Sequence, residues 1–230
     1  SEDTAQIVSL LALAGAALTL FEYASVYPSL VEFRDAPPFN RIRFLALFIT
    51  VFVLSVISRG QVEQSGLAIF FEAVGVLVGR ALDFPYSPVR LVLLSLPDTA
   101  TLAQVAQVRA AAGIAYITAL LALSFFYLIL RMNNWPSRNG AFNVWINLPT
   151  FDPTTGGDVV ARLNRDARVN LGLGFLLPFL IPAVAEAATE LFGPLLLDKP
   201  ENLIWTISIW AFLPLSLFMR GNAMGRVASM

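Results

Sequence analysis

The sequence predicts an all-α polytopic membrane protein: about five transmembrane helices, a re-entrant or interfacial hairpin over 67–97, and a cytoplasmic amphipathic helix. Three observations predict it. Of the 230 residues 57% are hydrophobic and only 13% charged, with a mean hydropathy of +0.71; a soluble domain is about 45–50% apolar and about 25% charged. Apolar runs close to the length that crosses hydrocarbon recur along the chain. The longest polar stretch, 131–170, falls between two such runs. Residues 1–230 therefore read as a single integral membrane domain, with 131–170 as a cytoplasmic interfacial segment.

Taken in order, Ile7–Tyr27 is the first span, closed by Pro28, which cannot continue a helix interior. The residues before it are acidic and carry no basic region, so the run reads as a span rather than a cleaved signal peptide. Phe44–Ile57 is intensely apolar but short, and spans only if Arg43 and Arg59 snorkel at its ends. The stretch 67–84, LAIFFEAVGVLVGRALDF, is apolar yet holds Glu72 and Arg80, and Pro85, Pro88 and Pro97 break the chain beyond it. Asp98–Thr99 is placed to cap a short helix over 100–109. Ala110–Leu130 is a long uncharged span, Leu171–Phe192 a span interrupted by Pro178 and Pro182, and Leu203–Met219 the last, with Trp205 suited to an interface.

Charge orients these spans. Loop 31–43 holds Arg34, Arg41 and Arg43; segment 131–168 holds Arg131, Arg138, Arg162, Arg165 and Arg168; the tail holds Arg220 and Arg226. The positive-inside rule puts all three in the cytoplasm of a bacterial inner membrane, with the N-terminus and the turn at 198–202 periplasmic. For both basic loops to share a side, the chain between them crosses an even number of times. Since 110–130 crosses once, either 44–57 supplies the other crossing and 67–97 stays at the outer face, or the reverse; Pro85, Pro88 and Pro97 favour the first.

The chain has no cysteine and no histidine. Iron–sulfur, zinc and copper sites lose their usual ligands, haem loses its commonest ones, and imidazole acid–base or triad chemistry is unavailable. No cofactor, metal or catalytic residue is expected. With 15 basic and 16 acidic side chains there is no excess of positive charge for nucleic acid. TTGGD at 154–158 lacks the lysine of a phosphate loop.

Charges within apolar runs are the natural site candidates. Glu22 is expected to pair with Arg34, Arg41 or Arg43. Glu72 shares a helical face with Gly75 and Gly79, a G-x-x-x-G pair that admits a second backbone, so it reads as a polar anchor on a packing face. Glu186 and Glu190 sit one turn apart beside the proline-broken helix, an arrangement suited to a proton, a cation or Ca²⁺. Within 131–170, Trp135 and Trp145 are set among asparagines and prolines, and FNVWINL alternates in the strand period. Residues 159–168 read as an amphipathic helix on the inner leaflet. Val159, Val160, Leu163 and Ala167 form its apolar face, and Arg162, Arg165 and Arg168 reach anionic phospholipids.

Two functions fit these residues. The first is a non-catalytic accessory, assembly or stabilising subunit of a larger bacterial inner-membrane complex, of which an energy-converting complex is one setting. It would touch other membrane-protein subunits or lipid through Glu72, Gly75, Gly79, Trp135, Trp145, Arg162, Arg165 and Arg168. The alternative is a small cation-coupled transporter or channel using Glu72 or the Glu186/Glu190 pair.

Overall fold

The computed structural model describes residues 2–136, 142–154, 156–192, 197 and 199–230, with side chains described from residue 6 and not over 188–192. In chain order the helices are α1 (Glu2–Ala24), α2 (Phe39–Gly60), α3 (Gly66–Leu82), α4 (Pro88–Leu94), α5 (Leu102–Met132), α6 (Val144–Asn147), α7 (Val159–Phe192) and α8 (Pro200–Ala228). Among the described residues there is no strand. Five helices, α1, α2, α5, α7 and α8, are long and apolar enough to cross a membrane. The all-α polytopic class stands.

Several boundaries differ from the sequence reading, each for a local reason. The second span starts at Phe39 and has 22 residues, so it needs no snorkelling to reach across, and Arg43 lies inside the helix. The expected cap at Asp98–Thr99 and separate helix over 100–109 are replaced by one 31-residue helix, about 46 Å long. Thr101 caps it: its Oγ1 accepts from the Gln104 amide at 3.2 Å, while Gln104 Oε1 accepts from the Thr101 amide at 2.8 Å. FNVWINL is a single helical turn, Val144–Asn147, begun by Asn143. One strand without an edge to pair with leaves its backbone groups unsatisfied, and alternation cannot overcome that.

The amphipathic helix expected over 159–168 is the first part of α7, which runs on without a break for 34 residues. Part of its apolar face is covered by α8, while Val160 remains exposed. Leu163 and Ala167 are buried, and the Ala167 carbonyl and Cβ lie against Gly221 and Gly225 of α8.

Helices α2, α5, α7 and α8 form the core. Phe39 at the start of α2 packs edge-on against Phe126 near the end of α5, as antiparallel neighbours do, with ring centroids 5.8 Å apart. The α7–α8 pair is antiparallel and very close: Gly174 faces Pro214 and Phe218, and Gly221 faces Ala167 and Leu171. Small residues are what allow such contact where lipid removes the hydrophobic driving force between helices.

Residues 67–97 form two helices joined by a turn at 83–87. Ala68, near the start of α3, packs on Gly60, the last residue of α2. Asp83, at the other end of α3, meets Arg109 in the first third of α5. Both ends of α3 are thus held at one end of the bundle, and the helix runs across that end as a surface-lying hairpin does. Helix α1 stands apart. Among the described residues it packs against no other helix, and from Gln6 to Ala24 only Glu22 is buried.

Two glycines on α7 provide a matched test of the tight pairing. A Cβ at Gly174 would sit 2.9 Å from the Phe218 nitrogen and 3.0 Å from the Pro214 carbonyl, whereas one at Gly172 meets nothing within 4 Å. Gly174→Ala is expected to destabilise by about 1–3 kcal/mol through overpacking. Gly172→Ala should stabilise by about 0.5–1 kcal/mol, because alanine restricts the helix backbone more. Reversible unfolding in mixed micelles reads both; equal effects would refute the close α7–α8 approach.

Candidate functional site

The polar side chains collect in three places. The first is the exit from α1. Glu22, the one buried residue of α1 from Gln6 onward, accepts hydrogen bonds from the amides of Ser29 (3.0 Å), Leu30 (2.8 Å) and Val31 (3.0 Å) and from Ser29 Oγ (2.6 Å). The expected ion pair with an arginine is not made. The turn after Pro28 presents three successive amide hydrogens without helical partners, and a carboxylate satisfies all of them at once. Arg34 instead donates to the main-chain carbonyls of Glu22 and Ser25, and its Nε lies 3.0 Å from Asp35.

Beside this exit, Glu32 receives a two-point bond from Arg220 (2.6 and 2.8 Å) and a third from Thr150 Oγ1 (2.6 Å). Asn147 ties the same loops together: its carbonyl accepts from the Phe33 amide at 2.7 Å and its Oδ1 from the Asp35 amide at 3.1 Å. Arg43 places its guanidinium 5.1 Å from the Phe39 ring and 5.7 Å from that of Phe212. Arg226 donates to the carbonyls of Leu130 and Trp135. Phe33 is the centre of an aromatic nest with Phe39, Trp135 and Phe142, its centroid distances 4.5, 6.0 and 6.3 Å. The three basic segments, 31–43, 131–168 and the tail, therefore meet at one end of the bundle, as the parity argument requires.

At the opposite end Asp83, almost buried, lies between Arg90 (2.7 Å) and Arg109 (2.8 Å), joining the hairpin to α5. Gly79 faces the backbone of Arg109 and Ala110, and Gly113 faces Gly79.

A third arrangement sits among α5, α7 and α8. Pro182 has no N–H, so the Pro178 carbonyl one turn earlier loses its helical donor. Trp210 Nε1 on α8 supplies the replacement at 3.1 Å. The Trp210 ring also stacks on Tyr116 of α5, centroids 5.8 Å apart. Next to this bond is an apolar cavity of about 230 Å³, bordered by Tyr116, Gly174, Phe175, Pro178, Pro214 and Phe218.

The residues singled out from the sequence do not gather at one site. Glu72 is exposed on α3, with only Gln61 Nε2 near it at 3.5 Å. Gly75 and Gly79 are buried, and the close approach they allow is made by α5 of the same chain. Trp135 is buried in the aromatic nest, whereas Trp145 is 55% exposed. Arg162 lies 4.7 Å over the Phe151 ring and donates to the Asp152 carbonyl. Arg165 and Arg168 are exposed, Arg165 within 3.5 Å of Asp166. Glu186 is exposed on α7, and the side chain of Glu190, like Arg138, lies outside the described residues. Among the described residues no three carboxylates converge as a metal site would need.

Glu32, Thr150, Arg220, Asn147 and Trp210 were not singled out. Only Trp210 left a signal: a proline one turn after another leaves a carbonyl without its donor, and a membrane helix must find one elsewhere. No family model, curated protein or solved structure matches this chain.

The Trp210–Pro178 bond has a direct test. Trp210→Phe is expected to cost about 1–3 kcal/mol by leaving the Pro178 carbonyl without a partner. In a Pro182→Ala background the helix regains its own N–H donor, so the same change should cost markedly less. The loss of indole area is common to both backgrounds, and the double-mutant cycle isolates the bond. Equal costs in the two backgrounds would show that the indole acts by packing alone.

Proposed function

We propose that this chain is a non-catalytic accessory or stabilising subunit of a larger complex in a bacterial inner membrane, its N-terminus periplasmic and its C-terminus cytoplasmic. The observation that carries the reading is α1. Only 6% of its apolar window is buried, against 39, 33, 22 and 44% for the other four spans. The bundle closes without it, yet its exit is locked by four hydrogen bonds to Glu22. A helix held firmly at one end and bare along its flank is suited to packing beside another subunit. Its small residues, Ala12 and Ala16 among them, permit close backbone approach.

The residue chemistry is in keeping. Glu32, Arg220, Thr150 and Asn147 at one end of the bundle and Asp83 at the other are engaged in joining segments to one another. Exposed Arg165 and Arg168 suit anionic lipid headgroups at the cytoplasmic side. The cation-coupled alternative draws less support, since the carbonyl freed by Pro182 is already taken by Trp210 and exposed Glu186 lies two turns beyond it.

The test is extraction in mild detergent followed by native mass spectrometry. The intact chain should migrate with other polypeptides. A variant lacking residues 2–18, which keeps Glu22, should keep its thermal midpoint and lose those partners. A chain that migrates without any other polypeptide would refute the reading.

A further inference from the structure

The exposed edge of α3 has a pattern that the fold does not use. Ile69, Glu72, Ala73, Val76, Leu77 and Arg80 line an open groove of about 560 Å³. The spacing is that of one continuous helical stripe. Two opposite charges bracket it, eight residues or about 12 Å apart. Among the described residues neither Glu72 nor Arg80 forms an ion pair, and no hydrogen bond is made by the Arg80 side chain. An apolar helix at a membrane surface has no need of either charge for its own insertion.

The geometry points to a second copy of this chain as the occupant: two α3 helices pack antiparallel across a two-fold axis at Val76, with Glu72 of each copy paired to Arg80 of the other. The two charges are placed symmetrically about Val76. Residue 72 is as far from 76 as 80 is, so one rotation makes both ion pairs at once, as an isologous interface requires. The orientation of α3 agrees. Copies inserted the same way in one membrane are related by a two-fold along the membrane normal. That axis brings upright helices together parallel, but it brings helices lying across the surface together antiparallel. Because both ends of α3 are held at one end of the bundle, it is of the second kind. Ile69 and Leu77, 54 and 72% exposed, flank the axis and would be covered. This inference does not depend on the accessory-subunit reading, since α1 and α3 present different surfaces.

The absence of native cysteine makes the test clean. Val76→Cys, treated in native membranes with a short bis-maleimide, is expected to give a band at twice the monomer mass. Phe48→Cys, on the exposed face of α2, should give none. In the Val76→Cys background, Glu72→Arg or Arg80→Glu alone should abolish the dimer band, and the two together should restore it. The restored double variant also excludes misfolding as the cause of the single losses. Absence of the Val76→Cys dimer, a cross-link to a different polypeptide, a band that survives either single reversal, or a folded double reversal that stays monomeric would each overturn the proposal.

Discussion

In hydrocarbon a backbone amide or carbonyl has no water to turn to, and each one left unpaired costs several times what it would at a wet surface. The rest of this structure depends on that constraint. It selects helices for every long apolar run and makes the irregular points of the chain the places where side chains must intervene. In α7 Pro182 removes a donor, and Trp210 crosses from α8 to restore it. The same rule operates where α1 ends, with roles reversed. There the orphaned groups are amides, and Glu22 accepts from three in succession.

A second consequence concerns the two ends of the bundle. At one end the loops after α1 and α5 and the tail of α8 converge on Glu32, Thr150, Arg220 and Asn147, joined by bonds between residues more than a hundred positions apart. Charged partners reach far in sequence there because the helices that carry them are long and antiparallel. At the other end Asp83 joins segments only a turn and a helix apart, Arg90 and Arg109. The first network sets how the spans are arranged. The second sets only how the hairpin lies on them.

The helical class and the five spans were legible in the sequence because hydropathy and length report the solvent of each segment, and solvent decides secondary structure here. The side shared by the basic segments was legible for the same kind of reason, through charge. What could not be read was pairing. Glu22 was expected on an arginine, and nothing in the sequence reveals that the turn at 29–31 aims its amides back along α1. The strand-like alternation of FNVWINL and the amphipathic pattern over 159–168 were real, but alternation reports only which side chains are covered. A single helical turn capped by Asn143 and a face covered by α8 produce the same patterns as a strand and a leaflet. For the candidate site, the G-x-x-x-G pair correctly marked a close helix crossing, while the identity of the crossing helix, α5, belongs to tertiary structure alone.

Bare apolar flank is no liability in lipid, so the exposure of α1 and of α3 carries information only through what accompanies it. For α1 the companion is a fixed exit. A helix that merely floated beside the bundle would need no defined angle of departure, but four bonds to Glu22 and the Arg34 contacts to its last carbonyls impose one. For α3 the companion is charge, which lipid penalises and an opposing charge relieves. The two proposed neighbours therefore differ: an uncharged face of small residues beside α1, where packing alone would hold, and a reciprocal pair of charges at α3, where register would matter. Because α1 is tied at the end that carries Glu32 and Arg220 while α3 lies across the opposite end, both neighbours would be engaged without any rearrangement of the four helices between them.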